Sequence, residues 1–328
     1  MTKPIRLLLL NAADIERVAP PLREVIDLVE ATYRMGANGE VEIPTKVALH
    51  PHGAQSFLHA MPAWVSGFQA LGMKWVSFFP VNATKDLPVS SALIVLNDPD
   101  SGLPVAIMEG MWITYARTAA CAALAARYSA NPAPRKLGLV GCGGLGEWSL
   151  RYITEVFPSI DEVFVASARP ETRQAFCRSM SAHGSWALHP VDDIRLAVER
   201  MDIVVSSVPK LEKHPVRGEW LSPGAVMVPL DVTGSWDDDL YNSVDSIVCD
   251  HRDNLQKAFG RYRPNLSADD ARMISFDDIV LGKKTARATG DDRVLAFMTG
   301  IGSLDMTIAW EIYRRAGVAG LGTPFALT

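Results

Sequence analysis

The sequence is poor in cysteine, with four in 328 residues, at Cys121, Cys142, Cys177 and Cys249. None forms a C-x-x-C pair and none has a histidine at zinc-ligand spacing, which argues against a disulfide scaffold or a structural zinc. A reducing cytoplasm is the simpler expected setting. Positive charge is not in excess either. The formal net charge is −5 and no basic face is evident, so a nucleic-acid partner held by phosphate neutralisation is not expected. Long apolar runs are also missing. The opening "IRLLLLNAADIERV" is apolar only from Leu7 to Leu10, too short for a signal-peptide core or a membrane span, and no membrane association is expected. There is no internal repeat and no low-complexity tract.

What is present is the balance of an ordinary globular chain, 48% hydrophobic and 21% charged, at a length that predicts about two domains. Residues 1–36 read as a short strand followed by one helix, "DIERVAPPLREVIDLVEATYRMG", ending at Gly36. From Val41 to Leu96 short β-like runs, "TKVALH", "SFLHAMPAWV", "ALGMKWVSFFP" and "SALIVLND", are separated by Gly, Pro and Asn, as in antiparallel hairpins. A further hairpin is expected to turn around Asp100-Ser101-Gly102. The Ala-rich "MWITYARTAACAALAARYSA" is a helix, and the "NPAPRK" that follows it is the expected linker. From Lys136 strands and helices alternate, the signature of a parallel sheet with helical crossovers.

The stretch "KLGLVGCGGLGEWSLRYI" carries a G-x-G-x-x-G turn. Alone that is a weak signal, but here a strand precedes it, a helical pattern follows, and the unit closes on the strand "EVFVAS" at the expected βαβ length. Gly141 would make the tight turn, Gly143 would admit a pyrophosphate to the backbone, and Gly146 would let helix and strand approach. The helix N-terminal N–H groups would then face the anion. NAD sites usually end the second strand in Asp or Glu. This chain has Ser167, then Ala168 and Arg169, which favours NADP(H) over NAD(H), since Arg pairs with a 2′-phosphate; the alternative is an Arg that merely opens the next helix. His50 and His52, two apart on a strand-like run, would face one side, but no third metal ligand stands out and no metal is expected. Asp237, Asp238 and Asp239 read as a helix start or a solvated face. Trp64, Trp75 and Phe79 could trim a pocket, though strand aromatics are more often core.

"GMKWVSFFPVN", "WITYARTAACAALA", "GCGGLG", "VPLDVTG" and "GIGSLDMTIAWEIYRRA" occur in an order and spacing that resembles the ornithine cyclodeaminase/mu-crystallin family, over nearly the whole chain. The resemblance implies a mostly β (α+β) substrate-binding and dimerisation domain, residues 1–130 completed by 303–328. It places a Rossmann-type doubly wound α/β domain at 131–302, and so explains why the glycine turn comes late. It also implies a homodimer. Lys74 and Arg117 then match residues that grip a substrate α-carboxylate, a role suited to paired cations. Asp231 matches the acid–base carboxylate; on residues alone it is equally a helix N-cap. Thr118 matches a cofactor-phosphate contact and Asn82 a substrate-loop residue, while Ser90 and Ser91 stay unranked. Lys46 stands where the family usually carries Arg, keeping the charge but losing the bidentate fork. The implied cofactor set is Thr118, Gly141, Gly143, Gly144, Leu145, Gly146, Ser167, Arg169, Ser207, Val208, Asp231 and Gly300. The expected activity is hydride transfer between nicotinamide and the α-carbon of an imino or amino acid, foremost reduction of a ketimine carboxylate. The alternatives are an amino-acid dehydrogenase, a redox-neutral cyclodeaminase with bound NAD, and a non-catalytic mu-crystallin-like binder.

Overall fold

The computed structural model describes residues 4–53, 56–209, 215–232 and 234–328. The chain opens with β1 (Arg6–Leu10) and α1 (Ala12–Val18). Asn11 sets the start of α1: its side chain accepts the Asp14 N–H at 3.0 Å, and the Asp14 carboxylate accepts the Asn11 N–H at 3.2 Å, a reciprocal capping box. The single helix expected here is in fact two, because Pro20 and Pro21 stop α1 and α2 (Leu22–Ala37) begins anew from Pro21. Proline lacks the N–H a helix interior needs, and it disfavours helical backbone in the residue before it.

Short β2 (Val41–Glu42) and β3 (Val47–Leu49) lead into four longer strands. These are β4 (Phe57–Val65), β5 (Ala70–Phe78), β6 (Ser90–Asn97) and β7 (Pro104–Glu109), paired antiparallel in succession. In the β6–β7 turn the Asp98 carboxylate accepts from the Ser101 N–H and hydroxyl. Because β3 ends at Leu49, His50 and His52 lie beyond it in a turn, and the strand alternation expected to aim them together does not apply. The helix α3 (Met111–Ser129) starts under the Glu109 carboxylate, which accepts the Met111 N–H at 2.6 Å. Its Ala-rich stretch from Ala119 to Ala126 is wholly buried, as a helix apolar on all sides must be.

The alternating segment comprises β8 (Lys136–Val140), α4 (Gly144–Val156), β9 (Glu162–Ala166), α5 (Pro170–Met180), β10 (Ala187–Val191), β11 (Ile203–Ser206) and β12 (Val226–Pro229). It continues through α6 (Asp238–Ser243), β13 (Ser246–Cys249), α7 (Arg252–Tyr262), β14 (Met273–Ser275), α8 (Phe276–Val280) and β15 (Val294–Phe297). As expected, Asp237 caps α6. The eight strands pair in parallel in the order β10-β9-β8-β11-β12-β15-β13-β14. The order reverses between β8 and β11, the switch point where doubly wound sheets bind ligands at the carboxyl ends of their strands. Trp236, Tyr241, Phe259 and Phe297 form the aromatic centre of one core face.

Finally α9 (Gly302–Ala319) and β16 (Thr323–Ala326) return to the first sheet, whose order is β16-β1-β7-β6-β5-β4-β2 with β3 beside β4. There α9 lies against β4 and β5. Contacts divide the chain into Met1–Arg117 with Ile301–Thr328, and Thr118–Gly300. This border falls inside α3, whereas the Pro-rich 131–136 segment was the expected one. The result is one mostly β domain and one doubly wound α/β domain. Among the described residues no helix is long and apolar enough to cross a membrane.

Candidate functional site

In the first unit the site is set by strand alternation. Gly72, Lys74 and Val76 turn inward on β5, while Trp75 turns outward and is 39% exposed. Trp75 therefore belongs neither to the core nor to the Lys74 face. Lys74 is fully buried, and its Nζ donates to Asp305 Oδ1 at 2.6 Å. Arg117, on α3, donates from Nε to the same oxygen at 3.1 Å. Burial, with the Arg117 guanidinium nearby, pulls the Lys74 ammonium down to about 7, against the Asp305 carboxylate, which raises it. The other Asp305 oxygen is buried without a hydrogen-bond partner. Two buried cations thus share one carboxylate oxygen.

Asp305 lies within "GIGSLDMTIAW", yet nothing in its local pattern marks it. An acid in the first turn of a helix is common for dipole reasons alone, and only the packing of α9 onto β4 and β5 brings it to Lys74. Lys46 is half-buried just before β3 and acts electrostatically on Lys74. The Asn82 amide donates to the Pro88 carbonyl at 2.9 Å, closing the loop between β5 and β6. Ser90 pairs in register with Phe78, whereas the hydroxyls of Ser91 and Ser77 bond each other at 2.9 Å. By alternation Ser90 shares the Lys74 face and Ser91 does not.

In the second unit the glycine turn has the geometry its sequence calls for. Gly141 sits at φ +102°, a region side chains rarely adopt. A Cβ at Gly146 would stand 2.6 Å from the Gly141 carbonyl oxygen, so helix and strand approach too closely for any other residue. A Cβ at Gly143 would meet nothing within 4 Å, which is the open approach a phosphate needs. Gly143 is the N-cap of α4 and provides no side-chain cap, leaving the first-turn N–H groups of Gly144 and Leu145 for an anion. An open cavity of about 540 Å³ lies alongside, lined by Cys142, Gly143, Gly144, Glu147, Thr172 and Phe176 among others. The residues present fit a dinucleotide phosphate.

Ser207 continues β11, and its N–H donates to the Val140 carbonyl at 2.8 Å. Asp231 follows β12. Its carboxylate accepts from the Val208 N–H, the Gly234 N–H and the Ser235 hydroxyl, each at 3.3 Å. Burial raises its pKa, and these bonds only partly oppose that. Gly141, Ser207, Val208 and Asp231 are thus gathered at the carboxyl ends of β8, β11 and β12. Thr233, in the same motif, lies outside the described residues. Ser167 directly follows β9, and its carbonyl accepts from the buried Arg173 at 2.9 Å; Arg173 is in turn paired with Asp192. Arg169 is exposed at the N-cap of α5. Gly300, at φ +74°, donates its N–H to Asp250 at 3.1 Å, and Thr299 donates to the same carboxylate. Thr118 is buried on α3, next in sequence to Arg117. Arg173 and Asp250 carried no sequence signal, since their partners are remote or are backbone atoms. Among the described residues no three His, Cys, Asp or Glu side chains are grouped to hold a metal ion.

The profile of the ornithine cyclodeaminase/mu-crystallin family matches residues 7–319. The nodulation efficiency protein NfeD of Rhizobium meliloti is 29% identical over 327 residues, covering 98% of this chain and 99% of its own. The Thermococcus litoralis Δ1-pyrroline-2-carboxylate reductase, solved with NADH and L-proline, superposes with a TM-score of 0.88 at 26% identity, covering 97% of this chain and 99% of its own. An archaeal alanine dehydrogenase dimer with bound NAD gives 0.86 at 26% identity, with 99% and 100% covered. A match running from the first strand to the last helix, over a fold shared at that level, means that this chain belongs to the ornithine cyclodeaminase/mu-crystallin family.

Proposed function

We propose that this protein is an NAD(P)-dependent oxidoreductase acting at the α-carbon of an imino or amino acid, foremost as a reductase of ketimine carboxylates. The observation that carries this reading is the buried pair Lys74 and Arg117 sharing one oxygen of Asp305. Two cations facing one buried anion leave a place for an incoming carboxylate. Lys74 and Arg117 hold that carboxylate and Lys46 adds a third positive charge nearby, so the α-carbon is oriented before reaction. Such orientation is worth several kcal/mol, about 7–11 in the best intramolecular cases. Asp231, its pKa raised by burial, is suited to exchanging a proton with the substrate nitrogen. When bound, the nicotinamide supplies or accepts the hydride. The resemblance to a reductase and an alanine dehydrogenase supports the redox reading over that of a non-catalytic binder.

The favoured cofactor is NADPH. The support is Ser167 in place of an acid at the end of β9, with Arg169 exposed two residues on, although the two solved relatives above are described with NADH and NAD. Absorbance of the reduced nicotinamide, followed with NADPH and NADH against cyclic ketimine carboxylates and against α-keto acids with amines, tests both points. Imine-dependent oxidation of NADPH that collapses in Asp231→Asn is the expected result. Tight cofactor binding without oxidation of any partner would overturn the reductase reading.

We also read the chain as a homodimer formed through the outer face of its first sheet. Val47, Trp75 and Leu93, joined in one register row through Ala60, are 60%, 39% and 52% exposed. An apolar row of this kind on a sheet face marks an association surface, and the archaeal relative is itself a dimer. Light scattering is expected to give twice the 35.7 kDa chain mass, and Trp75→Glu is expected to give the monomer. A monomeric wild type would remove this assignment.

A further inference from the structure

His59 is unused by the function proposed above, yet it shares the sheet face of Lys74. Opposed residues on paired strands project to one side. Across β4 and β5 Met61 opposes Lys74 and His59 opposes Val76; across β3 and β4 Ala48 opposes His59. Lys46 lies two residues before Ala48. His59 and Lys74 are therefore diagonal neighbours, roughly 7–8 Å apart at the backbone. The half-buried His59 ring stacks on Phe57 at 4.1 Å and meets the His50 ring edge-on at 6.4 Å. His50 is itself fixed by a 3.0 Å contact between Nδ1 and the Ser56 carbonyl. Between the clamp and His59 the lining is apolar, formed by Met61, Val76 and Ala92 with Met111 against them.

Burial, then the positive charges of Lys46, His50 and Lys74, drive the His59 imidazole down to about 3. The smaller, electrostatic part of that shift, from Lys46 and Lys74 among others, is a positive potential that also draws an anion to the same spot. The charge balance agrees. Lys74 feels Arg117 and Lys46 as cations and Asp305 as the opposing acid. An alkyl segment over Met61 and Val76 would carry a second group from the clamp to His59.

We propose that His59, with Lys46 beside it, receives a second acidic group of the substrate, so that the preferred imino or amino acid is a dicarboxylate. This rests on the reading of Lys74 and Arg117 as the α-carboxylate clamp. A neutral imidazole offers one hydrogen bond to such a group, and the lysine offers charge.

The test uses the full chain with two probe pairs. Glutarate and valerate are compared by calorimetric binding, which needs no turnover. The imines formed from 2-oxoglutarate and from 2-oxopentanoate with ammonia are compared by NADPH oxidation. Glutarate is expected to bind at least about tenfold more tightly than valerate, as for one added charge-assisted bond, with kcat/KM showing the same preference through KM. His59→Phe, which keeps the stack on Phe57, is expected to cut the diacid-to-monoacid ratio several-fold, the charge of Lys46 remaining. His59→Leu, which also removes the donor, serves as a second variant should the first lose its thermal transition. Equal binding of the two acids in the wild type, or a preference left unchanged by both variants, overturns the proposal. A His59-dependent preference for glutarate without turnover of any imine would sink the reductase reading and leave the second acid site standing.

Discussion

Lys74→Met is expected to lower kcat/KM for any carboxylate-bearing substrate by at least about 10³-fold, or roughly 4 kcal/mol of lost transition-state stabilisation. Lys74 is buried, directly bonded to Asp305 and shares that oxygen with Arg117. Truncating one member of a desolvated charge cluster typically costs about 2–5 kcal/mol in binding. The pH dependence carries the sign. The folded-state pKa of Lys74 is lowered from 10.5 to about 7. Between those values the unfolded chain holds a proton that the folded chain has released, so this residue makes stability rise with pH across that window, by at most about 1.4 kcal/mol per pH unit. Carboxylate binding needs the ammonium, so KM should rise over the same window. Stability and affinity thus move in opposite directions above pH 7, and Lys74→Met should flatten both trends. Denaturation midpoints and KM measured from pH 6 to 10 decide it; a KM that does not change with pH in the wild type would remove Lys74 from the clamp.

Asp305→Asn is expected to be strongly destabilising, at about 3–5 kcal/mol, because it removes the carboxylate that Lys74 and Arg117 share and Lys74 must then either stay charged beside Arg117 or give up its proton. For a chain of this size that is a fall in Tm on the order of 10 °C. Removing the anion also takes away what raises the Lys74 pKa, so Lys74 should lose its proton below pH 7 and KM should climb at lower pH than in the wild type. The double variant Lys74→Met/Asp305→Asn should recover a large part of the lost stability, since one uncompensated cation is gone. Additive losses in the double variant, or an unshifted KM profile in Asp305→Asn, would mean that Asp305 is a packing residue and no counter-ion.

Much of the α/β unit was legible from the chain because its signals are local. The glycine turn needs particular backbone at Gly141 and close approach at Gly146, and both demands are written into residue type. The antiparallel region was legible from its turn residues. The double proline at 20–21 was visible too, but the apolar spacing on either side suggested one helix, and the missing N–H decided otherwise. His50 and His52 were read as strand neighbours because alternation cannot be seen to stop at Leu49. Trp75 was read as core or pocket because aromatic strand residues usually are, whereas here it stands on the outer face of the sheet.

The sequence by itself determined the order of elements, the doubly wound class, the dinucleotide turn and the cationic character of Lys74 and Arg117, since each depends on residue type and short-range spacing. Only the tertiary structure decided which groups meet. Lys74 and Asp305 are separated by 231 positions and Arg117 and Asp305 by 188, and no periodicity reaches that far. Strand register placed His59 diagonal to Lys74, and the packing of α9 onto β4 and β5 gave the two cations one oxygen. Burial, with Arg117 alongside, moves Lys74 from a solvated lysine towards neutrality near pH 7 while Asp305 pulls the other way, because the pKa answers to dielectric and neighbouring charge rather than to sequence.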